Sequence, residues 1–120
     1  MEKCILIIDD DEDTLQLTSI ILERSDYKVI TIDRCGEDIV DKVKEIQPQI
    51  ILMDLRIPEI GGAKGTLLIK NDPAINKIPL ILFSADKDIE KIADDVNADG
   101  ALRKPFDINT LRLVIKNNIS

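Results

Sequence analysis

Short apolar runs alternate with longer amphipathic stretches from one end of the chain to the other. Residues 4–8 (CILII) form a continuous apolar run with β-branched members, the signature of a strand covered on both faces. Over residues 13–23, Leu15, Ile20, Ile21 and Leu22 predict an apolar stripe along one side of a helix. Residues 28–32 (KVITI) read as a second strand. Residues 37–46 place Ile39, Val43 and Ile46 near helical spacing, with Val40 beside them, and Pro48 marks the end. Residues 50–53 (IILM) give a third strand that runs into Asp54. After the turn stretch RIPEIGG, a helix holding Leu67, Leu68 and Ile69 closes at NDP, residues 71–73. Residues 80–83 (LILF) are a fourth strand ending at Ser84, and Ile89, Ile92, Ala93 and Val96 form the next helical stripe. A short strand at Ala101 and Leu102 leads to Lys104 and Pro105, and residues 108–119 predict a last helix.

Five strands alternating with five helices, without repeats or low-complexity segments, predict an α/β fold: a doubly wound five-stranded parallel sheet with helices on both faces. Right-handed crossovers leave few topologies, of which the flavodoxin-like (βα)5 order 2-1-3-4-5 is the expected one. Strands one and three are then neighbours.

Composition narrows the function classes. A chain of 120 residues with 44% hydrophobic content fits one domain over residues 1–120, with no room for a separate output domain. Lys and Arg number 16 against 23 Asp and Glu, a net charge of -7. That balance argues against a nucleic-acid surface and against docking on anionic membrane. Cys4 and Cys35 show no CxxC spacing, and there is no histidine to complete a zinc site, so both read as free thiols of a reducing compartment. Only five apolar residues follow Met1 to Lys3, far short of an apolar signal segment or the ~20 residues of a membrane span, and a cytoplasmic location is expected.

In a parallel sheet the carboxyl ends of the strands share one rim, where open α/β proteins place their sites. Asp9 and Asp10 follow strand one, Asp54 strand three, Ser84 strand four and Lys104 strand five. With strands ~4.8 Å apart, the carboxylates of strands one and three should lie within roughly 5 Å and repel by about 3 kcal/mol. Oxygen donors without histidine or thiolate suit a hard cation, and a small site of acids and waters suits Mg2+ better than Ca2+. A cation, a lysine, a hydroxyl and a nucleophilic acid are what a phosphoryl group needs to be attacked and then held.

Rival acidic motifs fail on their spacing. An EF-hand loop begun at Asp9 needs Gly at its sixth place and Glu at its twelfth, where this chain has Thr14 and Ile20. The DxDx[TV] motif of haloacid-dehalogenase phosphohydrolases meets Asp13 when begun at Asp9 and Leu15 when begun at Asp11. Neither GxxxxGK[ST] nor GxGxxG is present, so a nucleotide cradle has no support.

The acid pair in IIDDD, the stretch IILMDLRIPEIGG, the hydroxyl in LILFSA and the KPF triplet, in this order, resemble the receiver domains of two-component response regulators. The resemblance covers essentially the whole chain. It implies that Asp54 is the phosphoacceptor, loaded by a sensor histidine kinase or a histidine phosphotransfer protein. It implies Mg2+ held by Asp10 directly, by Asp9 largely through water, by Asp54, and by the backbone carbonyl of Arg56. Ser84 would hydrogen-bond the attached phosphoryl group and Lys104 would pair with it, while Asp11, Glu12 and Asp13 have no role beyond solvated charge. A cis bond before Pro105 is usual in the family.

Two positions depart from the family pattern. The switch aromatic falls on Ala101, which puts in doubt output through helix four, strand five and helix five. Gly61 stands where an Asp is common, a change expected to alter loop geometry only. Arg56 and Asp86, each two residues beyond a site residue, carry opposite charges that are expected to bridge over the phosphoryl group and slow its hydrolysis. The implied protein is a monomer or weak dimer that catalyses only its own phosphorylation and dephosphorylation, and that switches the binding of a downstream protein target. The alternatives are an atypical receiver acting as a constitutive interaction module and a hydrolase on the same fold; the latter lacks a base for its second step.

Overall fold

The computed structural model describes residues 3–119. Five parallel strands, β1 (Lys3–Ile8), β2 (Tyr27–Ile32), β3 (Ile50–Asp54), β4 (Leu80–Ser84) and β5 (Gly100–Arg103), form one sheet in the order β2-β1-β3-β4-β5. Each is followed by a helix: α1 (Glu12–Glu23), α2 (Ile39–Ile46), α3 (Gly62–Lys70), α4 (Ile89–Asp95) and α5 (Ile108–Asn118). This is the doubly wound order expected from the alternation, and strands one and three are adjacent.

Strand composition follows position in the sheet. β3 and β4 are buried along their whole length, as is β1 beyond its first two residues, so their sequences run apolar without alternation. The edge strands β2 and β5 are only partly covered, and their sequences are correspondingly mixed.

Side chains of the central strands divide between two cores with a period of two. Leu6, Ile8, Ile51, Met53, Leu80 and Leu82 pack with α2, α3 and α4. Ile5, Ile7, Ile50, Leu52, Ile81 and Phe83 pack with α1 and α5. This alternation sends Phe83 and its successor Ser84 to opposite faces of the sheet.

One helix presents a different face from the one its apolar residues suggest. The buried positions of α1 are Thr18, Ile21 and Leu22, whereas Ile20 is 46% exposed and Leu17 62% exposed. The polar Thr18 belongs to the inward stripe with Leu15 and Leu22, and a count of apolar residues alone shifts the stripe toward Ile20.

At the rim remote from the strand ends, Lys70 closes α3 with its side chain only 8% exposed. Its ammonium donates to the carbonyls of Asn76 and Ile78 and to Asp99, whose carboxylate also accepts from the backbone N–H of Leu80. The cluster ties the end of α3 to the starts of β4 and β5. Among the described residues no helix is long and apolar enough to cross a membrane.

Candidate functional site

The carboxyl rim is fixed by backbone hydrogen bonds that continue the sheet beyond the strands. Asp9 N–H donates to Ile32 O at 3.0 Å, Leu55 N–H to Phe83 O at 3.1 Å, and Lys104 N–H to Ser84 O at 2.9 Å. Residues that follow β1, β3 and β5 are thereby tied to the ends of β2 and β4.

Asp9, Asp10 and Asp54 each offer a carboxylate oxygen, and these oxygens lie within 4.8 Å of one another. Asp9 and Asp54 are buried, whereas Asp10 faces solvent. The Lys104 ammonium sits 3.1 Å from Asp9 Oδ2 and 3.9 Å from Asp54 Oδ1. One cation against three acids leaves two formal negative charges uncompensated in a partly desolvated place. Burial pushes the Asp54 carboxyl up to about 6; Lys104 opposes that rise and Asp9 adds to it. An all-oxygen donor set, open to solvent on the Asp10 side, fits Mg2+.

Ser84 and Lys104 complete the set named from sequence. Ser84 is buried, and its hydroxyl oxygen accepts from the backbone N–H of Asp86 at 3.1 Å. Asp54, Arg56, Ser84, Ala85, Asp86 and Lys104 line a cleft of about 430 Å³. Across its mouth Arg56 Nη2 and Asp86 Oδ2 pair at 2.8 Å. The backbone N–H of Arg56 donates to Asp54 Oδ1 at 3.3 Å. Asp11, Glu12 and Asp13 supply the N-cap position and first turn of α1, where their charge suits the helix dipole.

The loop after Asp54 is tightly specified. Gly61 has φ +85°, and a Cβ on Gly62 would meet the backbone oxygen of Asp54 at 2.3 Å. Cys35, a free thiol as expected and fully buried, pairs its backbone with the same loop: it donates to Pro58 O at 2.7 Å and accepts from Ile60 N–H at 3.0 Å. Lys104–Pro105 is a cis peptide. Ala101 is half-buried against the α2, α3 and α4 side.

Two residues beside the site stand inside the LILFSA and KPF stretches, but the sequence alone assigned them no role. Phe83 lies under the Lys104 ammonium, 4.6 Å from ring centroid to Nζ, and meets Phe106 edge to face at 6.3 Å. Their placement immediately before Ser84 and immediately after Pro105 was the available signal.

A family model described as the response regulator receiver domain matches residues 5–116. The chain belongs to the response regulator receiver domain family. This receiver is 34% identical over 85 residues to the polar-differentiation response regulator DivK of Brucella ovis, covering 71% of this chain and 68% of DivK. It is 33% identical over 110 residues to the transcriptional regulatory protein LnrK of Bacillus subtilis, covering 88% of this chain. The chain spans 49% of LnrK, about half its length. Its fold matches the crystal structure of the receiver domain of sensor histidine kinase PA1611 from Pseudomonas aeruginosa at TM-score 0.87, with 21% identity over 98% of each chain. That structure has a magnesium ion coordinated in its active-site cleft.

Proposed function

We propose that this receiver accepts a phosphoryl group on Asp54, in a Mg2+-dependent transfer from a phosphohistidine of a sensor histidine kinase or histidine phosphotransfer protein. Asp9, Asp10, Asp54 and the backbone carbonyl of Arg56 would hold the ion. The observation that carries the reading is the convergence of three carboxylate oxygens within 4.8 Å beside the ammonium of Lys104. The magnesium ion found in the PA1611 receiver domain supports the choice of metal.

Held by these residues, Mg2+ would supply positive charge that offsets the acid cluster and the charge of the transferring group. The carboxylate oxygen of Asp54 attacks phosphorus in line; the new O–P bond forms as the P–N bond breaks, and the electron pair leaves on the donor imidazole. Lys104, 3.9 Å from Asp54 Oδ1, pairs with the transferred group. The Ser84 hydroxyl uses its oxygen as acceptor for Asp86 N–H, which leaves its own proton for a phosphoryl oxygen. The protein therefore catalyses its own phosphorylation and dephosphorylation and no turnover of a separate substrate. The phosphorylated form switches binding to a downstream protein target, in the cytoplasm, where kinases draw on ATP.

The test is incubation with Mg2+ and acetyl phosphate or phosphoramidate, followed by intact mass. A gain of one phosphoryl group in wild type, absent in Asp54→Asn, is the expected result. No adduct with any donor would favour a constitutive interaction module, and rapid donor consumption without an adduct would favour a hydrolase.

A further inference from the structure

The chain contains two Phe, one Tyr and no Trp; one phenylalanine lies under a lysine of the candidate site and the other packs on the first. Phe83 is 2% exposed and lies on the α1 and α5 side of the sheet. Its ring is 4.6 Å from the Lys104 ammonium, well inside the ~6 Å reach of a cation–π contact. Phe106, two residues beyond Lys104, packs its ring at 71° to that of Phe83 and fixes it. The lysine itself is 21% exposed, so its attraction to the ring is weakly screened.

We propose that Phe83 is a positioning residue that holds the Lys104 ammonium between Asp9 and Asp54 through the face of its ring. Lys104 has two anionic neighbours, at 3.1 Å and 3.9 Å, and must favour the second once a phosphoryl group is attached there. The ammonium already donates to Asp9 Oδ2, and a hydrogen-bonding group in place of the ring would add a second fixed direction. A ring face attracts it without a fixed acceptor direction, so Lys104 can exchange Asp9 for the phosphoryl oxygens while keeping its contact with Phe83. The functional half of the proposal rests on Asp54 being the acceptor.

Two measurements test it separately. In the unphosphorylated full chain, the ε-methylene protons of Lys104 are shielded by the ring current, and the shift is lost in Phe83→Leu. Site-specific replacement of Phe83 by mono-, di- and trifluorophenylalanine weakens the ring face at nearly constant shape. The expected result is a stepwise fall in the rate of phosphorylation by acetyl phosphate along that series, reaching about 5- to 30-fold by Phe83→Leu. Unshielded Lys104 protons in wild type, or an equal rate across the fluorinated series, would overturn the proposal. If wild type forms no adduct, Asp54 is not the acceptor, the positioning role in phosphotransfer falls with that reading, and the shielding still decides whether the ring holds Lys104.

Discussion

Arg56 and Asp86 close a 2.8 Å ion pair across the mouth of the cleft that holds Asp54. They come from the loops after β3 and β4, thirty residues apart in sequence. Arg56 is 74% exposed, so the solvent-screened pair adds little to stability. Its expected consequence is steric: were Asp54 phosphorylated as proposed, the pair would stand over the cleft through which water must come. The double variant Arg56→Ala with Asp86→Ala should unfold at nearly the wild-type denaturant midpoint and lose its phosphoryl group several-fold faster. An unchanged lifetime in a chase with Mg2+ present would remove the shielding role.

Asp54 makes the metal-free protein sensitive to pH. The group is raised to about 6 in the folded chain against an ordinary value of 3.8, so the folded state holds its proton more tightly than the unfolded state does. The stabilisation is complete below about 4 and is lost as pH rises through 6. Asp54→Asn should therefore stabilise the metal-free protein at pH 7, by about 1–3 kcal/mol, and flatten this part of the profile. Mg2+ at a hundred times its Kd should add about 2.7 kcal/mol to wild type and less to the variant. Urea unfolding across pH 4–8, with and without Mg2+, measures both.

The start of α3 is pressed against the end of β3. A methyl group on Gly62 would meet the Asp54 carbonyl oxygen at 2.3 Å and Leu55 Cα at 2.8 Å, both backbone atoms that move only with Asp54 and its successor. Gly62→Ala should lose about 1–3 kcal/mol and also slow phosphorylation. A variant with a lowered melting temperature but the wild-type phosphorylation rate would show that the loop relaxes away from Asp54.

Lys70 offers the contrast of a buried cation far from the chemistry. Lys70→Met removes the donor to two carbonyls and to Asp99, and should lower stability by about 2–4 kcal/mol. At a temperature where the variant remains folded, its phosphorylation rate should match wild type; a rate defect there would mean that the two rims of the sheet communicate.

The positions legible in the sequence share one property: each lies at the end of an apolar run whose length and direction local patterning sets. Asp9 and Asp10 after CILII, Asp54 after IILM, Ser84 after LILF and Lys104 after the last short strand are brought to one rim by strand direction alone. The 4.8 Å cluster agrees with the separation expected from strand spacing. The α1 face was legible only in part, because Thr18 enters the core as a polar residue.

Sequence by itself determined the order of elements, the parallel sheet and which acids, hydroxyl and lysine reach the rim, because these follow from short-range periodicity and from the handedness of crossovers. Only the tertiary structure decided how far Asp54 is desolvated, that Phe83 lies under Lys104 and meets Phe106, that Cys35 pairs with the loop after Asp54, and that Lys70 reaches Asp99. Those are contacts between residues from different segments whose identities follow no spacing rule. They depend on loop paths and rotamers, which packing selects after the strands are in register.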